Sequence, residues 1–518
     1  MKKLLLLLSV FCITQINAQI TFQKTYGTAN YSEEASSMVK TFDKGYIMIG
    51  TGFDSTVSQN KIYVVKTDSN GTVQWTKTYG AISLDRGNNI NTTVDGGYII
   101  TGSTKDSSLH FRALLLKIKA DGTIQWTKCY GRFGEDGGHV QQTADKGYIV
   151  IGGTGSYTSS DHIYVFKTDS AGNLQWNKTF NGNGCCGQSD YGGSIMQTTD
   201  GNYVLSTTIF DHAANTYIGY LAKINATTDT IQWETSFLIV PGPAYVGSFT
   251  QTTDKGFIIT GSVGYNTTNN AFLLKTDSVG SVQWCKKYTG AGGAFCIQTN
   301  DGGYAFLGAN AKSNYICKTT SNGTVQWAQA FGDTLNGHTT IARTLLQNNN
   351  GQYVVGAYTN SFSSQSWRSE FYLVKTDSLG KNNCNDYLLP VTTTTANVFN
   401  DYLPTKDTVG TTFNVVFSSD TGCTQNTICY NIGAIKNYNT QNASIQIYPN
   451  PAQNNFTVEV SDNDKQTISV YDVNGKQVLS QTITGATNID ANNLSAGVYN
   501  ISITGNAGVA NKKLVIVK

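Results

Sequence analysis

Short apolar runs recur along most of this chain, each closing on a lysine and followed by a turn. Tyr63-Val64-Val65-Lys66 is one such run, leading into Thr67-Asp68. The lysines are Lys66, Lys117, Lys167, Lys223, Lys275, Lys318 and Lys375. A second phrase places an aromatic at the head of an alternating stretch: Phe22, Trp75, Trp126, Trp176, Trp233, Trp284 and Trp327. A third is a turn before an aromatic, Asp95-Gly96-Gly97-Tyr98 in one copy. Asp43, Asp145, Asp200, Asp254, Asp301 and Asn350 hold the same place in the others. Each phrase occurs seven times between Ile20 and about Gly380, a period of roughly fifty residues. Such a period belongs to solenoids, propellers and arrays.

One copy shows what the unit is. Ile62 to Lys66 is apolar and β-branched, a strand signal. Asp68-Ser69-Asn70-Gly71 supplies a capping carboxylate and a glycine that accepts positive φ. Val73 to Tyr79 alternates as a second strand, and Tyr98 to Thr101 follow the Asp-Gly-Gly turn as another. The copy therefore predicts four short antiparallel strands, two tight turns and two variable loops, with no sustained helical period. The fold class expected is all-β: a seven-bladed β-propeller over residues 20–380, then a small C-terminal Ig-like β-sandwich. A β-solenoid is the rival, but its coils are usually shorter.

The ends predict closure. Phe22-Gln23-Lys24-Thr25-Tyr26-Gly27 matches Trp75-Thr76-Lys77-Thr78-Tyr79-Gly80 in pattern, and the last copy has no aromatic strand after Gly380. Residues 20–27 are thus expected to pair with Phe371–Lys375 and to cover edges that an open array would leave bare. Alternating strand direction puts both tight turns on one face and both variable loops on the other. Binding usually lives on variable loops.

Composition narrows the setting. Met1-Lys2-Lys3, an apolar stretch from Leu4 to Ile13 and Asn17-Ala18-Gln19 read as a secretory signal over residues 1–19. No later stretch is apolar and long enough to span a membrane as a helix. The formal charge of +2 comes from Lys2 and Lys3, so the exported chain is balanced and offers nothing to steer a nucleic acid. Nine cysteines follow the signal. Export permits disulfides, and Cys384 is expected to pair with Cys423 or Cys429. Cys285, Cys296 and Cys317 share one repeat and could include another pair. Residues 381–442, rich in Thr and Asn, read as a linker carrying that cysteine cluster, with an extended segment over 391–395, a strand signal from Phe413 to Phe417 and the cysteines expected to staple it against the propeller.

Two resemblances follow from motifs. Lys-Thr-Asp-x-x-Gly-x-x-x-Trp resembles the tryptophan-docking hairpin of quinoprotein-like propellers, and more loosely kelch-like repeats and the sialidase Asp-box. It implies a propeller and no quinone cofactor. At the tail, Ile447-Tyr448-Pro449-Asn450-Pro451, Ile468 through Gly475-Lys476, Leu494 through Gly497-Val498-Tyr499 and Lys513 through Lys518 resemble the type A C-terminal sorting domain of the Bacteroidetes type IX secretion system. This implies that residues 443–518 form a small β-sandwich that engages the secretion machinery. It also implies that the protein reaches the outer surface or the medium through the periplasm. The motif residues carried over are Pro449, Asn450, Pro451, Gly475, Gly497, Tyr499 and Lys518.

Chemistry is sparse. The turn aspartates at 68, 121, 169, 277 and 377, and those before the Gly-Gly turns, read as caps, because turn physics asks for one in every copy. The repeated lysines are expected to lay their stems on a sheet edge and keep their charge wet. The repeated tryptophans are expected to pack between blades. No calcium loop, zinc spacing, nucleophile elbow or phosphate loop is present, so no metal and no cofactor are expected. A less regular acidic set, Glu34, Asp85, Glu135 and Asp190, falls in the variable loops of the first four copies. These four are the candidate binding residues. The expectation is an exported, non-enzymatic binding or adhesion module for polysaccharide or protein, with no catalytic residue. The alternative is a carbohydrate-active hydrolase or lyase using those acids.

Overall fold

The computed structural model describes residues 20–518 except 29–30, 56–58, 81–83, 106–109, 132–134, 155–161, 182–190, 212–213, 241, 265–269, 290–291, 310–312, 333–338, 363–367, 383, 385–386, 400–404, 408–411, 415–417, 421–423, 433–444, 461–464, 473–476 and 506–507. The signal over 1–19, Asp190 and Gly475 lie outside the described residues. The chain divides into two compact units, Gln19–Tyr430 and, at the C-terminal end, Asn431–Lys518.

In the first unit every copy makes an antiparallel sheet. The first comprises β2 (Tyr31–Lys40), β3 (Tyr46–Asp54), β4 (Gln59–Thr67) and β5 (Val73–Gly80), paired in that order. Six further sheets follow over 86–130, 135–181, 191–239, 244–288, 292–331 and 340–375. The last is completed by β1 (Ile20–Gly27), with Phe22 opposite Lys375 and Tyr26 opposite Phe371. The closure expected from the two ends is therefore formed.

The strands of each copy's middle pair are buried on both faces. Ile47, Ile49, Ile62 and Val64 turn toward the second sheet, while Tyr46, Met48, Tyr63 and Val65 turn toward the last. A run without alternation is what a doubly covered strand requires. Seven separate apolar cores result, one between each pair of neighbouring sheets. The one at the seam packs Phe22, Tyr26, Phe371 and Leu373 against Ala35, Met38 and Tyr63. Each sheet remains open at both edges, and closure lies in how sheets pack on one another.

Polar bonds repeat with the cores. Tyr26, Tyr79, Tyr130 and Tyr288 each donate to the carbonyl of the turn glycine of the next sheet, Gly71, Gly122, Gly172 and Gly323, at 2.6–2.7 Å. The preceding tryptophans rest on those turns: a side chain on Gly172 would meet the Trp126 ring, and one on Gly380 the Trp327 ring. Phe22 plays this part at the seam, against Gly71. The expected packing of tryptophans between sheets is formed, and Trp75 donates its indole N–H to Ala120.

Three expectations are corrected. The repeated lysines do not keep their charge wet: Lys117, Lys167 and Lys275 are buried and paired with Asp95, Asp145 and Asp254 at 2.8–2.9 Å. The lysine stem is buried in the sheet, and its ammonium is held by the half-exposed aspartate of the Gly-Gly turn and by a backbone carbonyl beside it. Cys285, Cys296 and Cys317 are free, buried thiols and form no pair; Cys384 is disulfide-bonded. Nor is 381–442 a plain linker. Its short strands add a fifth, outer strand to each of the seven sheets. Tyr387–Leu388, Thr393–Thr395, Val398–Phe399, Thr405–Asp407, Thr412–Asn414 and Ser418–Asp420 pair with the sixth, fifth, fourth, third, second and first sheets in turn. Thr424–Ile432 then lies beside β1.

In the second unit, Ile445–Tyr448, Asn455–Val460 and Ala486–Asp490 form one sheet. Gln477–Ile483, Gln466–Tyr471, Gly497–Gly505 and Gly508–Ile516 form the other. Phe456, Val458, Ile468, Val470, Ile501 and Leu514 fill the core they share.

Two outcomes follow. Phe22→Ala should lower stability by about 3–5 kcal/mol in denaturant titration, since it empties a fully buried ring site at the seam. Acid should act through the turn aspartates. Burial alone would raise them, but bonds from Lys66 and Thr41 hold Asp43 at about 2, and bonds from Thr299 and Lys318 hold Asp301 at about 2. Their stabilisation is present above the ordinary carboxylate range and lost as pH falls toward about 2. The double variant Asp43→Asn, Asp301→Asn should give a shallower acid-unfolding curve by circular dichroism.

Candidate binding face

Antiparallel order sends alternate connections to opposite ends of the sheets. At one end the turns are uniform: 41–45, 68–72, 93–97 and their equivalents hold five residues, and one, 225–230, holds six. Their capping aspartates are where turn chemistry puts them. Asp68 accepts from the backbone N–H of Asn70 and Thr72, both at 2.8 Å. Glutamines then tie each turn to the next sheet. Gln142, Gln197, Gln251, Gln298 and Gln347 accept from the backbone N–H of Val94, Ala144, Thr199, Thr253 and Asn300. This end is locked by backbone bonds and ion pairs.

At the other end the connections run from three residues, 28–30, to ten, 360–369. Of the four acids predicted there, Glu34, Asp85 and Glu135 belong to the first, second and third copies, and Asp190 lies outside the described residues. Glu34 lies on β2, exposed. Asp85 is buried, and the Thr104 hydroxyl donates to its carboxylate. Glu135 opens its strand opposite Thr154.

Register explains the miss at Glu34. A bulge follows Ala35 in β2, and the matching bulge follows Gly87 in the second sheet. Two residues before each bulge stand Glu33 and Asp85. Their backbone N–H groups make the same bond to the preceding sheet, Glu33 to Ser369 at 2.8 Å and Asp85 to Asn60 at 3.2 Å. Glu33, not Glu34, is therefore the counterpart of Asp85. Adjacent glutamates cannot be told apart without knowing where the bulge falls.

Sequence reasoning also missed an inner rim of polar groups. Asn88 donates to Asp136 at 2.7 Å and to the Gly137 carbonyl at 3.0 Å, bridging the second and third sheets. Burial raises Asp136 above the usual carboxylate range, and Arg86 opposes that. Within the last sheet the Arg343 guanidinium lies 5.7 Å from the Tyr358 ring centre.

A third group is aromatic. Phe210 nears the end of Tyr203–Asp211, Tyr217 opens Thr216–Ile224 and Tyr245 opens Ala244–Gln251. All three sit at the variable end, half-buried. Their ring centres step across two sheets at 5.1 Å, Phe210 to Tyr217 and Tyr217 to Tyr245. A step of this length is a packed aromatic platform. No regular repeat marks it, because only the fourth and fifth copies carry these rings. Among the described residues no three His, Cys, Asp or Glu side chains converge as metal ligands.

The sorting-motif residues occupy the second unit. Asn450 donates to the Lys513 carbonyl at 2.7 Å and accepts from Val515 N–H at 2.8 Å, so it extends the hydrogen bonding of the final strand. Pro449 and Pro451, exposed, flank it. Gly497 opens the strand that carries Tyr499, whose hydroxyl donates to Ser495 at 2.8 Å. The ammonium of Lys518 donates to Asn492 at 2.6 Å.

Comparison with known proteins divides at the same place. The repeat region is similar to a protein of unknown function from Dyadobacter fermentans, at 9% identity, covering 70% of this chain and 99% of that one, with a TM-score of 0.39. It is similar to Sqt1 from Chaetomium thermophilum, at 9% identity over 69% and 100%, with a TM-score of 0.40. The Dos1 propeller matches at 8% identity over 68% and 95%, with a TM-score of 0.39. No curated protein sequence matches the chain. Residues 446–517 match the secretion system C-terminal sorting domain. The motif residues in the second unit and this match agree: residues 446–517 are a type IX secretion system C-terminal sorting domain, which indicates export.

Proposed function

We propose that residues 20–430 form a seven-bladed β-propeller, girdled by their own tail and followed by an Ig-like sandwich, and that its variable-loop face is a binding surface for a polysaccharide. The sorting domain supports delivery to the cell surface or the medium. The Phe210–Tyr217–Tyr245 platform carries the reading of the face. The C–H faces of a sugar ring pack on aromatic faces, and tyrosine hydroxyls can bond sugar hydroxyls alongside. Of the acids predicted as binding residues, Asp85 fits this role less well, since it is enclosed and bonded within its own sheet. Exposed Glu34 and Arg343 are better placed to contact a ligand.

A glycan array and a hydrolysis screen with the exported chain test this reading. Tyr217→Ala should weaken retention at least tenfold while thermal unfolding changes little, and Asp85→Asn should lower stability and leave affinity unchanged. Binding to a protein partner alone would replace the polysaccharide. Turnover lost in Asp85→Asn, with the fold intact, would replace binding by catalysis. Removal of residues 446–517 should leave the protein in the periplasm, read by fractionation and immunoblot.

A further inference from the structure

Where neighbouring sheets meet at the variable end, the strand Gln59–Thr67 of the first sheet places Lys61 beside Asp85 of the second. Both close on the space a side chain at Gly80 would take, the Asp85 carboxylate oxygen 2.6 Å and the Lys61 stem 3.3 Å from it. The seam between the last sheet and the first has the same geometry with different chemistry. Gly27 stands where Gly80 stands, Glu33 where Asp85 stands, and Glu370 where Lys61 stands. The space beside Gly27 is bounded by Glu33 Oε2 at 3.2 Å and by the Glu370 carboxyl carbon at 3.2 Å. An acid faces an acid at the one junction that joins the two ends of the propeller.

The bonding at this junction is lopsided. Glu33 is fully buried. Its Oε1 accepts from the backbone N–H and the hydroxyl of Thr28, both at 2.9 Å. Its Oε2 has no donor, and neither has Oε2 of Glu370, although both atoms are buried. The Arg368 guanidinium is the nearby cation, but it donates to the carbonyls of Thr28 and Tyr31, the latter at 2.9 and 3.1 Å, and not to either carboxylate. Two carboxylates packed against one glycine, each with a buried oxygen that has no donor, favour a positive particle at that spot. A hard divalent cation wants six or more oxygens. Here Arg368 already occupies the neighbouring carbonyls, and no third acid converges among the described residues. A proton needs only the two oxygens.

We propose that Glu33 and Glu370 share one proton and so form a pH-sensitive latch across the seam that closes the ring. Proton loss sets two carboxylates against each other and loosens Tyr31–Glu33 from Arg368 and Ser369. The latch is independent of what the variable face binds.

Burial pushes Glu33 up to about 8, Glu370 adds to that rise, and Thr28 and Arg368 oppose it. A carboxyl held higher in the folded than in the unfolded chain stabilises the fold at low pH. That stability is complete below the model-peptide range near 4.5 and is lost as pH rises through about 8.

The test uses the exported chain and the variants Glu33→Gln and Glu370→Gln, each of which puts an amide donor in the proton's place. Two readouts are taken: thermal unfolding from about pH 5 to about pH 9, and infrared absorption of protonated carboxyl groups near neutral pH. The wild type should lose several degrees across that range, with protection of the Glu33 amide from hydrogen exchange falling alongside. Both variants should lose less, and both should lack a protonated-carboxyl band that the wild type shows. Equal loss in all three proteins, or no such band in the wild type, would overturn the proposal. So would a rise in wild-type unfolding temperature with millimolar calcium at about pH 9 that neither variant shows, since a cation would then hold the pair.

Discussion

A sheet that is apolar on both faces cannot end in water, and that constraint governs the first unit. Each middle strand buries side chains on two sides, so each sheet needs a neighbour on two sides. A row of seven such sheets would leave two bare faces; a ring leaves none. Closure is achieved by covalent economy: β1 is the missing fourth strand of the last sheet, and it comes from the other end of the chain. Phe22 and Tyr26 then repeat at the seam the contacts that tryptophan and tyrosine make elsewhere. The seam is thereby tied by backbone pairing rather than by face-to-face packing alone.

The same double burial explains the lysines. A lysine at the end of a doubly covered strand has its stem buried, and the half-exposed carboxylate of the Gly-Gly turn holds its ammonium. Six copies provide aspartate. The seventh has Asn350, and there Lys375 turns instead to the Ser69 carbonyl at 3.0 Å and lies near the Phe22 ring. Burial lowers its pKa, with Lys40 adding to the effect and Asp68 opposing it. The copy that departs from the pattern is the one completed by the N-terminal strand. The acid pair Glu33–Glu370 lies at the same junction.

These differences mark what the sequence could and could not reveal. Periodic phrases make the seven sheets, the turn caps, the inter-sheet tryptophans and the register of β1 legible, because each is a local rule repeated. The burial of the lysines was not legible, since a stem on an edge and a stem inside a stack have the same sequence. Glu33 was hidden by its neighbour Glu34 and by a bulge that no residue announces. The aromatic platform escaped because Phe210, Tyr217 and Tyr245 belong to two copies and obey no period. The tail strands were legible only in part, at 391–395 and from Phe413, because most are two or three residues long and carry almost no strand signal on their own.

That last case shows what short strands can do when their partner is already built. The fourth strand of each sheet presents an unpaired row of N–H and C=O groups, and seven such edges on one exported protein invite pairing between molecules. Residues 387–432 meet them one after another, in reverse chain order, with two to nine residues per sheet. No single pairing of that size could persist as an isolated strand. Tethering makes each pairing local to the one before, so the entropy of closing each new loop is small. The Cys384 disulfide constrains the segment where this course begins. The belt therefore depends on sheet edges already built, and the last edge it meets is β1, which the N-terminal segment supplies.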